Sequence, residues 1–153
     1  MKNSFSVPFI GNQFVKGPDN KKIFVLKEKG KEYRAINQES KSCLELQIDK
    51  GIISNVQENK CDKGLIVLDD RKCILVELKG GDVSTACVQL DATFEKFSKS
   101  LLLNYKYDYF CRAIVTGMPS PKNYPTSYKI LLKKLHNDKN KLICKSKKFE
   151  ETI

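Results

Sequence analysis

The chain has 153 residues, with 28 Lys and Arg against 18 Asp and Glu, a formal charge of +10 and a pI near 9.3. That length suits one domain, predicted over residues 1–153 around a single core, and no run approaches the roughly 20 apolar residues that cross a bilayer. The start turns polar by Ser4 and Ser6 and is broken by Pro8 and Gly11, so neither an export leader nor a membrane anchor is read and the cytoplasm is expected.

Residues 23–26 and 33–36 read as early strands around the turn-prone Glu28-Lys29-Gly30-Lys31. Leu44, Leu46 and Ile48 then alternate with Glu45, Gln47 and Asp49, and Lys50-Gly51 leading into Ile52-Ile53 predicts a hairpin. Two short apolar runs, residues 65–68 and 73–76, flank the charged loop Asp69-Asp70-Arg71-Lys72 and predict a second hairpin. Gly80-Gly81 breaks the strand, Asp82 is placed to cap, and Val83, Cys87, Leu90, Phe94, Phe97 and Leu101 recur at helical spacing. Residues 110–116 form a further apolar strand, and the proline-rich stretch from Gly117 to Pro125 is a loop. Thr126 is expected to cap a helix with Tyr128, Leu131, Leu132 and Leu135 inward and Lys129, Lys133 and Lys134 outward. Residues 142–144 are read as the last strand, ending in the basic Lys145-Ser146-Lys147-Lys148.

The second hairpin has a consequence for chemistry. An even loop centred between Asp70 and Arg71 sets Leu68 opposite Cys73, Gly64 opposite Glu77 and Asp62 opposite Lys79. Cys73, Leu75, Glu77 and Lys79 then share one face, with Ile74, Val76 and Leu78 on the other. Asp62, Glu77 and Lys79 converge at one end of the hairpin, cross-strand Cβ atoms being about 5 Å apart. An odd loop would send Asp62 to the opposite face. Two carboxylates on adjacent strands suit Mg²⁺ (or Mn²⁺), which takes oxygen ligands and keeps several waters. A lysine beside them can stabilise charge building on a phosphoryl group. The backbone carbonyl of Leu78 is a further candidate ligand.

Asp62, a strand-turn spacer and Glu77-Leu78-Lys79 resemble the PD-(D/E)xK nuclease superfamily, over residues from about 43 to 116. The residue before Asp62 is Cys61 in place of the proline that gives the motif its name. Glu39-Ser40-Lys41 and Glu58-Asn59-Lys60 match the same triplet, but neither ends an apolar strand. The resemblance implies an α/β fold, a mixed central sheet flanked by helices with a restriction-endonuclease-like core. It also implies Mg²⁺-dependent hydrolysis of phosphodiester bonds in DNA, with RNA left open as substrate. Asp62 and Glu77 would be metal ligands, Lys79 the catalytic lysine, and Gln89 on the following helix a contact to substrate or water. Many members supply a second acid from an earlier element, for which Glu45 and Asp49 are the candidates. Small nucleases of this fold often dimerise, so a homodimer is compatible, although no interface is legible.

The charge agrees with a polyanionic partner, since neutralising phosphates releases counterions. Nearly all of it is Lys, with arginine only at positions 34, 71 and 112, which favours backbone binding over bidentate base reading. Lys129, Lys133 and Lys134 on the last helix, and Lys147 and Lys148 in the tail, are the candidate nucleic-acid contacts. The six cysteines stand singly without a C-x-x-C pair, and His136 is alone, so neither a zinc site nor a disulfide framework is indicated. No glycine-rich phosphate loop or nucleophile elbow supports a small-molecule enzyme. The remaining alternative is an inactive member of the same fold that binds nucleic acid or protein.

Overall fold

The computed structural model describes residue 9, residues 11–99 and residues 107–153. Within them the protein is a mixed α/β, sheet-rich fold with two α-helices. The central sheet contains β1 (Val15–Asp19), β4 (Cys43–Gln47), β5 (Lys63–Val67), β6 (Lys72–Glu77), β7 (Asp108–Val115) and β8 (Leu142–Ser146), side by side in that order. Neighbours from β1 to β6 are antiparallel, while β7 runs parallel to β6 and β8 parallel to β7. Each parallel step needs a crossover, supplied by α1 (Val83–Ser98) and α2 (Thr126–Lys134). A smaller sheet holds the hairpin β2 (Ile23–Glu28) and β3 (Lys31–Ile36), with β9 (Lys148–Thr152) parallel to β3.

Both faces of the central sheet are covered, which is why β5 and β6 read as continuous apolar runs. On one face Ile66, Cys73 and Leu75 pack against Val83, Ala86, Cys87 and Leu90 of α1 and Leu131 of α2. On the other, Leu65, Val67, Ile74, Val76 and Leu78 meet Phe24, Leu26, Tyr33 and Ala35 of the small sheet. Helices therefore flank one face, and a second sheet takes the place of helices on the other. All six cysteines are free and buried. Among the described residues no helix is long and apolar enough to cross a membrane.

The β5–β6 register is Ile66 opposite Cys73 and Gly64 opposite Leu75, two residues away from the expected pairing. The turn is Leu68 to Arg71, with Arg71 in the left-handed region at φ 52° and its N–H donating to the Leu68 carbonyl. It still holds an even number of residues, so every side chain keeps its expected face. Continuing the ladder sets Asp62 across from Glu77 instead of Lys79.

The tight hairpin expected at Lys50-Gly51 does not form. Residues 48–53 instead form a tight turn in which Ile52 and Ile53 N–H groups donate to the Gln47 and Ile48 carbonyls. A Cβ at Gly51 would collide with the Gln47 carbonyl oxygen, so this turn admits only glycine. At α1, Asp82 caps as expected, accepting from the Thr85 N–H at 2.7 Å; Leu101 lies outside the described residues. Thr126 is the first residue of α2, not its cap. Pro125 precedes it in extended conformation, and its carbonyl accepts from the Tyr128 and Lys129 N–H groups.

β8 is not the last strand. β9 has the polar sequence Lys-Phe-Glu-Glu-Thr, which apolar patterning does not reveal. It is drawn in by buried Arg112 of β7, whose guanidinium donates to both Glu151 oxygens at 2.8 and 3.1 Å, and by the Tyr33 hydroxyl, which donates to Glu151 at 2.7 Å. Removing one partner of a buried pair leaves an uncompensated charge. Arg112→Met is expected to cost about 3 kcal/mol in urea unfolding. The double variant Arg112→Met/Glu151→Met should recover most of that loss, and a double variant as unstable as the single one would mean the pair is not what holds β9.

Candidate functional site

The site lies where β4, β5 and β6 end beside the start of α1. Asp62 immediately precedes β5 and is 3% exposed. One of its oxygens accepts from the Leu78 and Lys79 main-chain N–H groups, both at 2.7 Å, and the other lies 3.1 Å from the Lys79 ammonium. Glu77 closes β6 and is 4% exposed. Its Oε1 is the buried side-chain oxygen without a hydrogen-bond partner among the described residues. Burial first, then the charge of Asp62 and a hydrogen bond with it, push the Glu77 carboxyl up to about 8.

Asp49 enters from the turn after β4. Its carboxylate bonds the Lys79 ammonium through one oxygen and lies 3.7 Å from the Lys60 ammonium through the other. Burial raises the Asp49 carboxyl, but the Lys79 bond and the charges of Lys79, Lys60 and Lys50 outweigh it and leave it below its ordinary value. Burial opposes the Lys79 charge, yet its bonds to Asp49 and Asp62 hold it above the ordinary lysine value. Lys60 is buried, with its ammonium donating to the Asn55 and Glu58 carbonyls at 2.6 and 2.9 Å. Around these groups is an open cleft of about 250 Å³, floored by Asp62 and Glu77 and rimmed by Asp49, Lys60, Lys79 and Gly80-Gly81.

Asp62, Glu77 and Lys79 are thus brought together as the sequence predicts, with Asp49 as the further acid. Glu45 is directed elsewhere: it pairs with Leu65, on the small-sheet face of the central sheet, and binds Lys21 at 3.2 Å. Strand alternation turns Glu45 away, whereas Asp49, four residues on, is carried round by the Gly51 turn. What Leu78 brings to Asp62 is its N–H, its side chain being buried toward the small sheet.

Gln89 lines the cleft, but its Oε1 accepts from the Lys60 main-chain N–H at 2.7 Å. One turn along α1, buried Thr93 accepts from the Cys61 N–H at 2.8 Å. Two helix side chains therefore fix the two residues ahead of Asp62. Sequence reading missed Lys60 and Thr93; the available signal was that Thr93 shares the helix side of Ala86 and Gln89. Where such a segment carries a metal ligand, loss of the groups that fix it typically costs 10–100-fold in metal affinity or activity. Thr93→Val is expected to weaken Mn²⁺ binding about 10-fold by calorimetry, with Thr93→Ser near native. Equal affinities for the Val and Ser variants would confine Thr93 to packing.

The expected nucleic-acid lysines stand outside the cleft. Lys134 pairs with Asp91 and Glu95 at 2.8 and 2.9 Å, Lys129 and Lys133 are exposed on α2, Lys147 links β8 to β9, and Lys148 opens β9.

The donor set fits a divalent cation. Asp62 and Glu77 are adjacent carboxylates, one with a buried oxygen that no described residue satisfies, beside an open cleft. Among the described residues no three His, Cys, Asp or Glu side chains converge as a ligand group, since Asp49 is turned to the lysines. Two carboxylates completed by waters are a normal Mg²⁺ environment. Comparison with family models, with curated proteins and with solved structures finds no match to this chain.

Proposed function

We propose that the protein is a Mg²⁺-dependent nuclease of the PD-(D/E)xK type, with a restriction-endonuclease-like core, hydrolysing phosphodiester bonds in DNA. The observation that carries this reading is the unsatisfied, buried Glu77 oxygen beside Asp62, with Lys79 two residues along the same chain.

Asp62 and Glu77 would hold the ion, with the Leu78 carbonyl as a further donor. When bound, the ion supplies Lewis-acid stabilisation of a phosphoryl oxygen and lowers the pKa of a water. Asp62 also anchors the Leu78 and Lys79 amides, so the segment that carries the lysine is fixed relative to the carboxylates. Lys79 presents a positive charge at the cleft and stabilises the charge that develops on a phosphate oxygen as the bond breaks. Asp49 orients the Lys79 ammonium, and Lys60 balances Asp49. Gln89 acts through Lys60 as a positioning residue.

A binding module of the same fold is the second reading, favoured by one observation: Lys79 is already engaged in ion pairs with Asp49 and Asp62. The two readings part on incubation of linear, circular and branched DNA, and RNA, with Mg²⁺ or Mn²⁺. Cutting that is lost with EDTA and with Glu77→Ala supports the nuclease and identifies its substrate form. No cutting of any of these, together with no Mn²⁺ binding, would leave the binding module.

A further inference from the structure

Resting on the nuclease reading, we propose that the nucleic-acid backbone runs from the cleft along the carboxyl ends of β7 and β8 and is held there by Lys145 and Lys147. Because β6, β7 and β8 are parallel, Glu77, Val115 and Ser146 all lie toward one end of the sheet. A line of contacts joins cleft to tail at that end. The Gly117 N–H meets the Gly81 carbonyl at 3.5 Å, the Ser146 hydroxyl donates to the Thr116 carbonyl at 3.2 Å, and the Lys147 N–H donates to the Val115 carbonyl at 3.0 Å. Two strand spacings separate β6 from β8, about 10 Å, the axial rise of about three phosphates along one strand of a duplex.

Lys147 projects from a fixed point. Its N–H is bound to the central sheet, its carbonyl accepts from the Glu32 N–H of the small sheet at 3.0 Å, and its backbone is left-handed at φ 67°. Its side chain and that of Lys145 are exposed, and neither forms an ion pair with a described residue. Lys148, by contrast, lies in the field of Glu32. Ser127 donates to the Ser84 carbonyl and Lys134 to Asp91, the same offset of 43 residues, so α1 and α2 run parallel. Both helices therefore start at this end, with their positive dipole ends toward the track. Asp82, which caps α1, is a carboxylate that the phosphates must pass. Lys99, which caps the end of α1, and Lys139, in the turn before β8, lie toward the opposite end of the sheet.

The test compares Lys145→Gln/Lys147→Asn with Lys99→Gln/Lys139→Gln, which lose the same charge from opposite ends. Asn accepts the left-handed backbone at position 147, and thermal melts of both pairs check folding. Binding of a labelled DNA duplex is followed by anisotropy in EDTA across a salt series, alongside Mn²⁺ calorimetry. The tail pair should bind at least 10-fold more weakly and lower the slope of log K against log salt by about 2, while the far pair keeps the native slope. No DNA binding by the native chain, or equal losses in the two pairs, overturns the track. If Mn²⁺ also fails to bind, the nuclease reading falls whatever the lysines do; normal Mn²⁺ binding without a tail effect removes the track alone.

Discussion

Lys79→Ala should abolish phosphodiester cleavage while leaving Mn²⁺ bound as tightly as in the native protein, or more tightly. The Lys79 ammonium bridges Asp49 and Asp62, so a cation entering the cleft competes with a charge already there. Removing that charge leaves the carboxylates more attractive to a divalent ion and takes away the group proposed to meet the developing phosphoryl charge. Loss of one such electrostatic contact is expected to lower kcat by about 1000-fold. The metal-free variant should also lose about 2 kcal/mol of stability, because buried Asp62 keeps its main-chain partners but not its counter-ion. Saturating Mn²⁺ should return that loss through preferential binding to the folded state. Single-turnover cleavage, Mn²⁺ calorimetry and urea unfolding measure the three effects separately. Native cleavage rates in the variant would reduce Lys79 to an ion-pair partner. Loss of metal together with cleavage would make it an organiser of the site.

The convergence of Asp62, Glu77 and Lys79 was legible because it depends on parity, which survives an error of register. The β5–β6 hairpin slips by two residues from the expected pairing, and Asp62 still shares a face with Glu77. Apolar runs located β5, β6 and β7, and helical spacing after Asp82 located α1, since those elements bury wide faces. Elements held by polar contacts were not legible. β9 joins the small sheet through Arg112, Tyr33 and Glu151, an arrangement that no local pattern encodes. The choice between Glu45 and Asp49 turned on where β4 ends and how the Gly51 turn bends, a question of a few residues. Gln89 lines the cleft and reaches the Lys60 main chain, because the segment before β5 lies against α1, a contact that no spacing on the helix encodes. Lys60 sits inside a chance Glu-x-Lys triplet, and nothing short of the fold brings its ammonium to Asp49.

Glu77 should make the metal-free protein less stable as pH rises, opposite to the usual behaviour of a carboxylate. Its carboxyl ionises near 4.5 when solvated and near 8 in the folded chain, because ionisation would leave a buried charge beside Asp62. The folded state therefore binds this proton more tightly than the unfolded state. The stabilisation is complete below about 4.5 and is lost as pH rises through about 8. A difference of that size corresponds to roughly 4–5 kcal/mol across the window. Glu77→Gln keeps the shape without the ionisation, so in EDTA its melting temperature should match the native protein at pH 5 and exceed it by about 10 °C at pH 8. Mn²⁺ reverses the comparison, stabilising the native protein with displacement of the Glu77 proton and leaving Glu77→Gln nearly unchanged. Native binding at pH 7 should accordingly release close to one proton, readable as a dependence of the calorimetric heat on buffer ionisation enthalpy. Parallel melting curves for native and Glu77→Gln between pH 5 and 8 would show that the Glu77 oxygen finds a partner in solution, and the case for a cation held by Asp62 and Glu77 would lose its foundation.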